Sequence, residues 1–214
     1  MKNRAGFGNI GRVFFFMVFL LASCSTTPAV RYYTLNPFFE MQPDSSPSVS
    51  GDTLAIGVGP VEFPKFLDRP QIVTRKNQNR VEVSEFHRWA GSFSGDFLRV
   101  LARNISMLLP EDRVATYPWT DQSSPVYRIP LTVEQFDGRF GGHVVLNVTW
   151  SVWNQKDANE PVMKNTRIKE PISAENYDAL VAAQSRAIGI LSRAIVDEIE
   201  RVNHRDEGFS GSKN

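Results

Sequence analysis

Cys24 is the single cysteine of the chain and stands directly after Leu21-Ala22-Ser23. Small residues of this kind suit a signal-peptidase cut, and the thiol just beyond it is open to alkylation once deprotonated. With one cysteine no intramolecular disulfide can form, so the thiol's chemistry belongs to the cut site. Other residues with chemical potential are arranged less tellingly. Gly91-Ser92-Phe93-Ser94-Gly95 has the outer glycines of a nucleophile elbow, but Phe occupies the nucleophile's place, and helical spacing puts the stretch inside a helix rather than at a strand-to-helix turn. His87, His143 and His204 lack metal-ligand spacing and read as solvated: His87 at a helix start, His143 in a hairpin, His204 in a tail. Glu111-Asp112 and Asp197-Glu198 read as solvated surface, and Gly57-Val58-Gly59-Pro60 lacks the third glycine and the lysine of phosphate loops. The sequence therefore predicts no catalytic residue, no metal and no cofactor, and esterase activity is the enzymatic alternative it leaves weakest.

The elements around Cys24 define how it is presented. Lys2, Arg4 and Arg12 precede the apolar run Val13–Ala22, a charge-then-hydrophobe order that marks a secretory signal. As a helix that run reaches only about 15 Å, against roughly 30 Å of bilayer hydrocarbon, so a permanent span is not expected. The run and the residues that end it resemble the bacterial lipobox. Residues 1–23 are read as a cleaved signal peptide, with lipidation at Cys24 and a short tether over 24–30. Two or more acyl chains, at about 0.8 kcal/mol per buried methylene, would make the attachment lasting. Ser25 follows the cysteine, and the resemblance to Gram-negative lipoproteins implies sorting to the periplasmic leaflet of the outer membrane.

Beyond the tether, residues 31–202 have the length of one domain with a real core. Of 24 Lys+Arg and 23 Asp+Glu the signal removes three basic residues, leaving 21 − 23 = −2, a balance without a nucleic-acid footprint. Phe38 to Asp52, rich in Pro, Ser and Asp, reads as an exposed loop, and 203–214 as a disordered tail. Every second residue is apolar in Val144, Leu146, Val148, Trp150 and Val152, and again in Tyr127, Ile129, Leu131 and Val133. With Asp137-Gly138 and Gly141-Gly142 between them, these runs predict an antiparallel hairpin. Shorter strands are expected over Arg31–Leu35, Thr53–Val58, Gln71–Arg75, Arg80–Ser84, Arg113–Tyr117 and, as an edge, Val162–Ile168. Helical spacing predicts one helix from about Phe86 to Leu109, stopped by Pro110, and a second from Ser173, its cap, to about Val202, with Glu175 in its first turn. The fold class is α+β: a single domain with a mixed or antiparallel sheet and two long helices packed on it.

The stretches Gly57-Val58-Gly59-Pro60-Val61, Phe63-Pro64 and Leu67-Asp68-Arg69-Pro70-Gln71-Ile72-Val73-Thr74-Arg75 resemble the PqiC-like ABC-type transport auxiliary lipoproteins, the membrane integrity-associated transporter subunits. Tyr32-Tyr33-Thr34-Leu35, Glu85-Phe86-His87-Arg88-Trp89-Ala90, Tyr117-Pro118-Trp119, Tyr177–Ala183 and Leu191-Ser192-Arg193 follow in the same order, so the resemblance spans nearly the whole mature chain. It implies a non-catalytic, outer-membrane-anchored subunit of an envelope lipid-transport system. The implied partners are a periplasm-spanning MCE-domain protein and an inner-membrane transport component, with phospholipid as cargo. A structural or assembly lipoprotein without lipid cargo is the alternative.

Four residues are candidates for partner contact. Arg69, between Asp68 and Pro70, offers a fork of donors to a carboxylate or phosphate, unless it pairs locally with Asp68. Arg88 and Trp89 are residue types enriched in binding hot spots, although burial tendencies place Trp89 in a helix-to-sheet core. Trp153 falls on the polar face of its strand, where a partner, a second copy in a homo-oligomer or a lipid headgroup region could meet it.

Overall fold

The computed structural model describes residues 28–38, 54–109, 113–119, 124–155, 161 and 163–210, with side chains to 204. The signal, Cys24, most of the Pro/Ser-rich loop, Glu111-Asp112 and 211–214 lie outside them.

Alternation builds the central hairpin as expected. Strands β6 (Tyr127–Gly138) and β7 (His143–Trp150) pair antiparallel, and Val144, Leu146, Val148 and Trp150 are all buried while the residues between them are not. They belong to a six-stranded sheet with β2 (Ala55–Glu62), β5 (Arg113–Thr116) and β9 (Lys164–Pro171) in the order β5-β2-β6-β7-β9, and the two-residue β8 (Trp153–Asn154) also pairs with β6. β9 is the polar edge that its composition predicted. A second, three-stranded sheet has the order β1-β4-β3, from β1 (Arg31–Tyr33), β3 (Gln71–Asn77) and β4 (Arg80–Trp89).

A bulge between Val133 and Gln135 controls what β6 can do. Up to Val133 the odd-numbered residues face the core. The extra residue shifts the parity, so Phe136 is the inward side chain and Asp137 faces the other way.

Two helices cover the inward face. Helix α1 (Phe93–Leu108) sets Phe93 and Phe97 against Phe136 at ring separations of 5.5 and 5.6 Å. Helix α2 (Tyr177–Ser210) buries Leu180, Ala183, Ala187, Ile188, Leu191, Ile195 and Ile199 completely, one stripe at helical spacing. Its richest window has a mean hydropathy of 1.3, enough on composition alone for a membrane span. Yet 72% of that window is buried inside the domain, so core packing accounts for it. Lys164 on β9 pairs with the buried Glu198 carboxylate and pins α2 to the sheet edge, and Arg201 of the same helix flanks that carboxylate. Asp197 is exposed as expected, but Glu198 is not surface.

Three helix boundaries depart from the sequence reading. Phe86–Trp89 are the end of β4, not the start of a helix. Phe86, Trp89, Phe93 and Phe97 happen to fall at seven- and four-residue spacing, which mimics a helix across the break. Ser92 is the real cap, its hydroxyl accepting from the Gly95 amide at 3.2 Å. The Gly91–Gly95 stretch is therefore at a strand-to-helix turn after all, with Ser92 spent on capping and Phe93 buried. At α2 the cap is Asn176, which accepts from the Ala179 amide at 2.8 Å, in place of Ser173; Asp178 rather than Glu175 is in the first turn. Finally, α2 continues past Val202 to Ser210, so His204 is helical and the polar stretch begins as helix.

Candidate functional site

Three of the four residues singled out by type lie together beside the start of α1. Arg69 sits in the turn between β2 and β3, where Leu67 is buried and the Leu67 and Asp68 amides both donate to the Pro64 carbonyl. The side chain of Arg69 donates to Gln71 Oε1 at 3.2 Å, not to Asp68. Asp68 instead accepts from the Ser94 amide in the first turn of α1, a favourable place for negative charge. Arg88 is the register partner of Gln71 and half-buried. Trp89 is 5% exposed and stacks on Phe93 at 4.5 Å, so it is core, though at a strand end rather than on a helix.

Trp153 is elsewhere, on the six-stranded sheet, and the structure does not join it to the Arg69 turn. It is 46% exposed, with its indole N–H donating to the Ser151 hydroxyl at 2.8 Å. The alternation that predicted its exposure ends at Trp150, since Ser151 and Val152 are both buried. Trp153 has company that sequence reasoning missed. Gly57, Arg128 and Trp153 are direct register partners across β2, β6 and β8, so they share one face of the sheet. A Cβ on Gly57 would stand 2.4 Å from Pro125 and 3.0 Å from Trp119, so the missing side chain is what lets Trp119 lie over the strand. The Arg128 guanidinium sits 5.7 Å from the Trp119 ring centre, and the exposed Tyr117 meets Trp119 edge-on at 5.2 Å. Trp119, Arg128 and Trp153 thus form an aromatic and cationic row on the face opposite Tyr127 and Ile129. Their segments are far apart in sequence, and only the register brings them together.

At the other end of that sheet, Arg75 of β3 holds Asp137 of β6 in a two-pronged pair. Its Nε lies 2.8 and 3.0 Å from the two carboxylate oxygens and its terminal nitrogen 2.6 Å from one. Asp137 is 1% exposed and also accepts from Gln135 Nε2 at 2.8 Å. This hydrogen bonding holds the guanidinium pKa above its usual value. The pair forms the floor of an open cleft of about 590 Å³, lined also by Arg139, His143, Arg167 and Lys169.

His87 is half-buried on β4 rather than solvated at a helix start. Its ring stacks on Tyr177 at 3.8 Å, and Nδ1 is 2.7 Å from the Tyr33 hydroxyl. Burial first, and the nearby Arg31 cation second, push its pKa below the ordinary histidine value. Burial likewise raises the Tyr33 phenol, reinforced by the Asp178 carboxylate. The neutral ring can accept the phenol's proton in a hydrogen bond, which the imidazolium cannot. Phe140 closes the cluster against Tyr177 at 5.1 Å. Among the described residues no group of three His, Cys, Asp or Glu side chains is placed to hold a metal ion.

These features describe an α+β domain whose ionisable groups cap, clamp and line surfaces. The family model for the ABC-type transport auxiliary lipoprotein component matches residues 33–196, and the chain belongs to that family. It is 24% identical over 182 residues to the intermembrane transport lipoprotein PqiC of Escherichia coli K12, spanning 85% of this chain and 93% of that one, and matches PqiC of Shigella flexneri to the same extent. Two crystal structures share the fold. One, of an uncharacterized protein, has a TM-score of 0.65 at 20% identity, covering 80% of this chain and 99% of its own. The other, of a Xanthomonas campestris protein, has a TM-score of 0.66 at 14% identity, covering 84% and 99%.

Proposed function

We propose that the chain is a non-catalytic, outer-membrane-anchored lipoprotein subunit of an MCE-type envelope lipid-transport system. The family match over residues 33–196, starting nine residues after the cysteine of the lipobox-like motif, carries this reading. Residues 1–23 are removed, Cys24 is acylated, 24–30 form a tether, and the domain beyond docks or guides its partners. Those are a periplasm-spanning MCE-domain protein and an inner-membrane component, with phospholipid as the cargo. The name of the PqiC relatives, intermembrane transport lipoproteins, supports the same assignment.

Cys24→Ala tests the anchor. The variant is expected to fold and to leave the membrane fraction, with the acyl mass absent; a native protein that lacks acyl chains yet still pellets with membranes overturns the reading. Contact surfaces are tested by Trp153→Ala and Arg69→Ala, with melting temperature and capture of the MCE-domain protein measured in parallel. The exposed Trp153 belongs to the aromatic row and is assigned the partner contact. Its loss is expected to weaken capture by at least about tenfold at unchanged stability. Arg69, engaged with Gln71 on the other sheet, is expected to act separately, and equal effects of the two would mean that one partner spans both.

A further inference from the structure

Arg139, Arg167 and Lys169 are exposed, converge on one cleft with His143, and have no carboxylate partner among the described residues. Their arrangement follows from register. Asp137, Val145 and Lys169 form one row across β6, β7 and β9, and Gln135, Asn147 and Arg167 the next. The carboxylate within that set is already neutralised by Arg75. Of the neighbouring acids, Glu170 is engaged with Arg186 and Glu134 with Asn147 and Thr149, while Glu175 stands over Gly141 at the hairpin turn without an ion pair to these cations. The cleft therefore presents three cations without an ion-pair partner among the described residues, and an imidazole, donors suited to phosphate oxygens.

The hairpin that borders the cleft is linked by ring contacts to the strand through which the chain enters the domain. Phe140, next to Arg139, touches Tyr177, which stacks on His87, the register partner of Arg31 in β1. Seven residues, 24–30, separate Cys24 from that strand, a reach of at most about 24 Å. The tether thus keeps the membrane that holds Cys24 within about 24 Å of β1, a reach comparable to the size of the domain, so the cations can face that membrane.

We propose that the cleft among Arg139, His143, Arg167 and Lys169 binds the phosphate of an anionic phospholipid headgroup in the membrane to which the chain is anchored. This rests on the anchored reading above and adds a specific lipid contact to it. Such a contact would hold the β6–β7 end of the domain against the bilayer and leave the Trp119–Arg128–Trp153 row, at the other end of β6, for a protein.

The test uses the full mature protein in detergent, with phosphatidylglycerol, phosphatidylcholine or inorganic phosphate added and adducts counted by native mass spectrometry. Phosphatidylglycerol adducts in excess of phosphatidylcholine adducts are expected, and R167Q/K169Q should reduce them by at least about tenfold. Arg139→Gln should reduce them separately, and Arg113→Gln, on the opposite sheet edge, should not. Melting curves confirm that each variant is folded. Equal adducts of the two lipids, or adducts indifferent to the cleft variants, overturn the proposal. So does retention of inorganic phosphate alone, or loss of a co-purifying protein with lipid adducts unchanged, which would make the cleft a protein contact. The acyl mass at Cys24 in the same spectra reports the anchor separately. Its absence overturns the anchored reading and the headgroup assignment together, whereas acylated protein without selective adducts overturns only the cleft.

Discussion

The six-stranded sheet gives one face to both helices, so Leu146, Val148, Trp150 and Phe136 meet Leu180, Leu191, Phe93 and their neighbours in a continuous apolar layer. Among the described residues the three-stranded sheet has no such cover along most of its length. In β4 the stretch from Arg80 to Glu85 contains no buried residue, and the large apolar side chains that β3 and β4 give to the core are the buried Ile72, Val73 and Trp89, with Val81 partly buried against it. What fastens its far end is the Arg75–Asp137 pair, directional and intolerant of a missing partner. The first sheet is thus secured by area, where many contacts share the load, and the second by a few polar contacts that cannot substitute for one another.

Substitutions can break this contrast. The largest effect is expected from Leu191→Asp, which places an unpaired charge in a fully buried stripe and should cost more than about 4 kcal/mol, enough to unfold the whole domain in a thermal or urea melt. Arg75→Ala comes next, at about 3 kcal/mol, because it strands a buried carboxylate with only Gln135 as donor. Asp137→Ala should cost less, since Arg75 is a quarter exposed and can turn to water. Hydrogen exchange should localise the Arg75→Ala damage to β3 and β4. Uniform loss of protection across both sheets would mean that the two are one cooperative unit.

The smallest effect sharpens the picture at the junction of β1, β4 and α2. His87 has a depressed pKa when folded, so the unfolded chain takes up its proton first. Its contribution is fully present above the unfolded value near 6.5, and stability falls as pH drops through that value toward the lower folded one. His87→Phe keeps an aromatic ring against Tyr177, forfeits the Tyr33 hydrogen bond at about 1 kcal/mol, and should flatten this part of the stability–pH curve. An unchanged slope would assign the titration to another group.

Legibility in the sequence followed the same division. The β6–β7 hairpin and the stripe of α2 could be read directly, because burial on one face imposes a period of two or 3.6 on the residues. Ser92 was readable in principle as a cap after Gly91, but the run of aromatics across Trp89 and Phe93 carried the helix back into β4. Trp153 was found because the alternation of β7, carried past its end at Trp150, points to it. Arg128 and Trp119 were not, since a register between three strands and a missing Cβ at Gly57 leave no local pattern. The Arg75–Asp137 pair was equally hidden: it depends on the β6 bulge, and one added residue leaves no periodic trace.

The segment that enters the domain has a mechanical consequence. After β1 pairs parallel with β4, the Leu35 amide donates to Asp96, Arg99 holds the Leu35 carbonyl, the Asn36 amide donates to Ser185, and the Phe38 amide donates to Asn104. Gly189 admits Phe38 to the surface of α2, where a Cβ would stand 2.7 Å from it. This strap is stitched to both helices. Tension applied to the chain ahead of Arg31 is therefore spread over β4, α1 and α2 in sequence, as a strain relief protects a cable at its socket, before it reaches the apolar core.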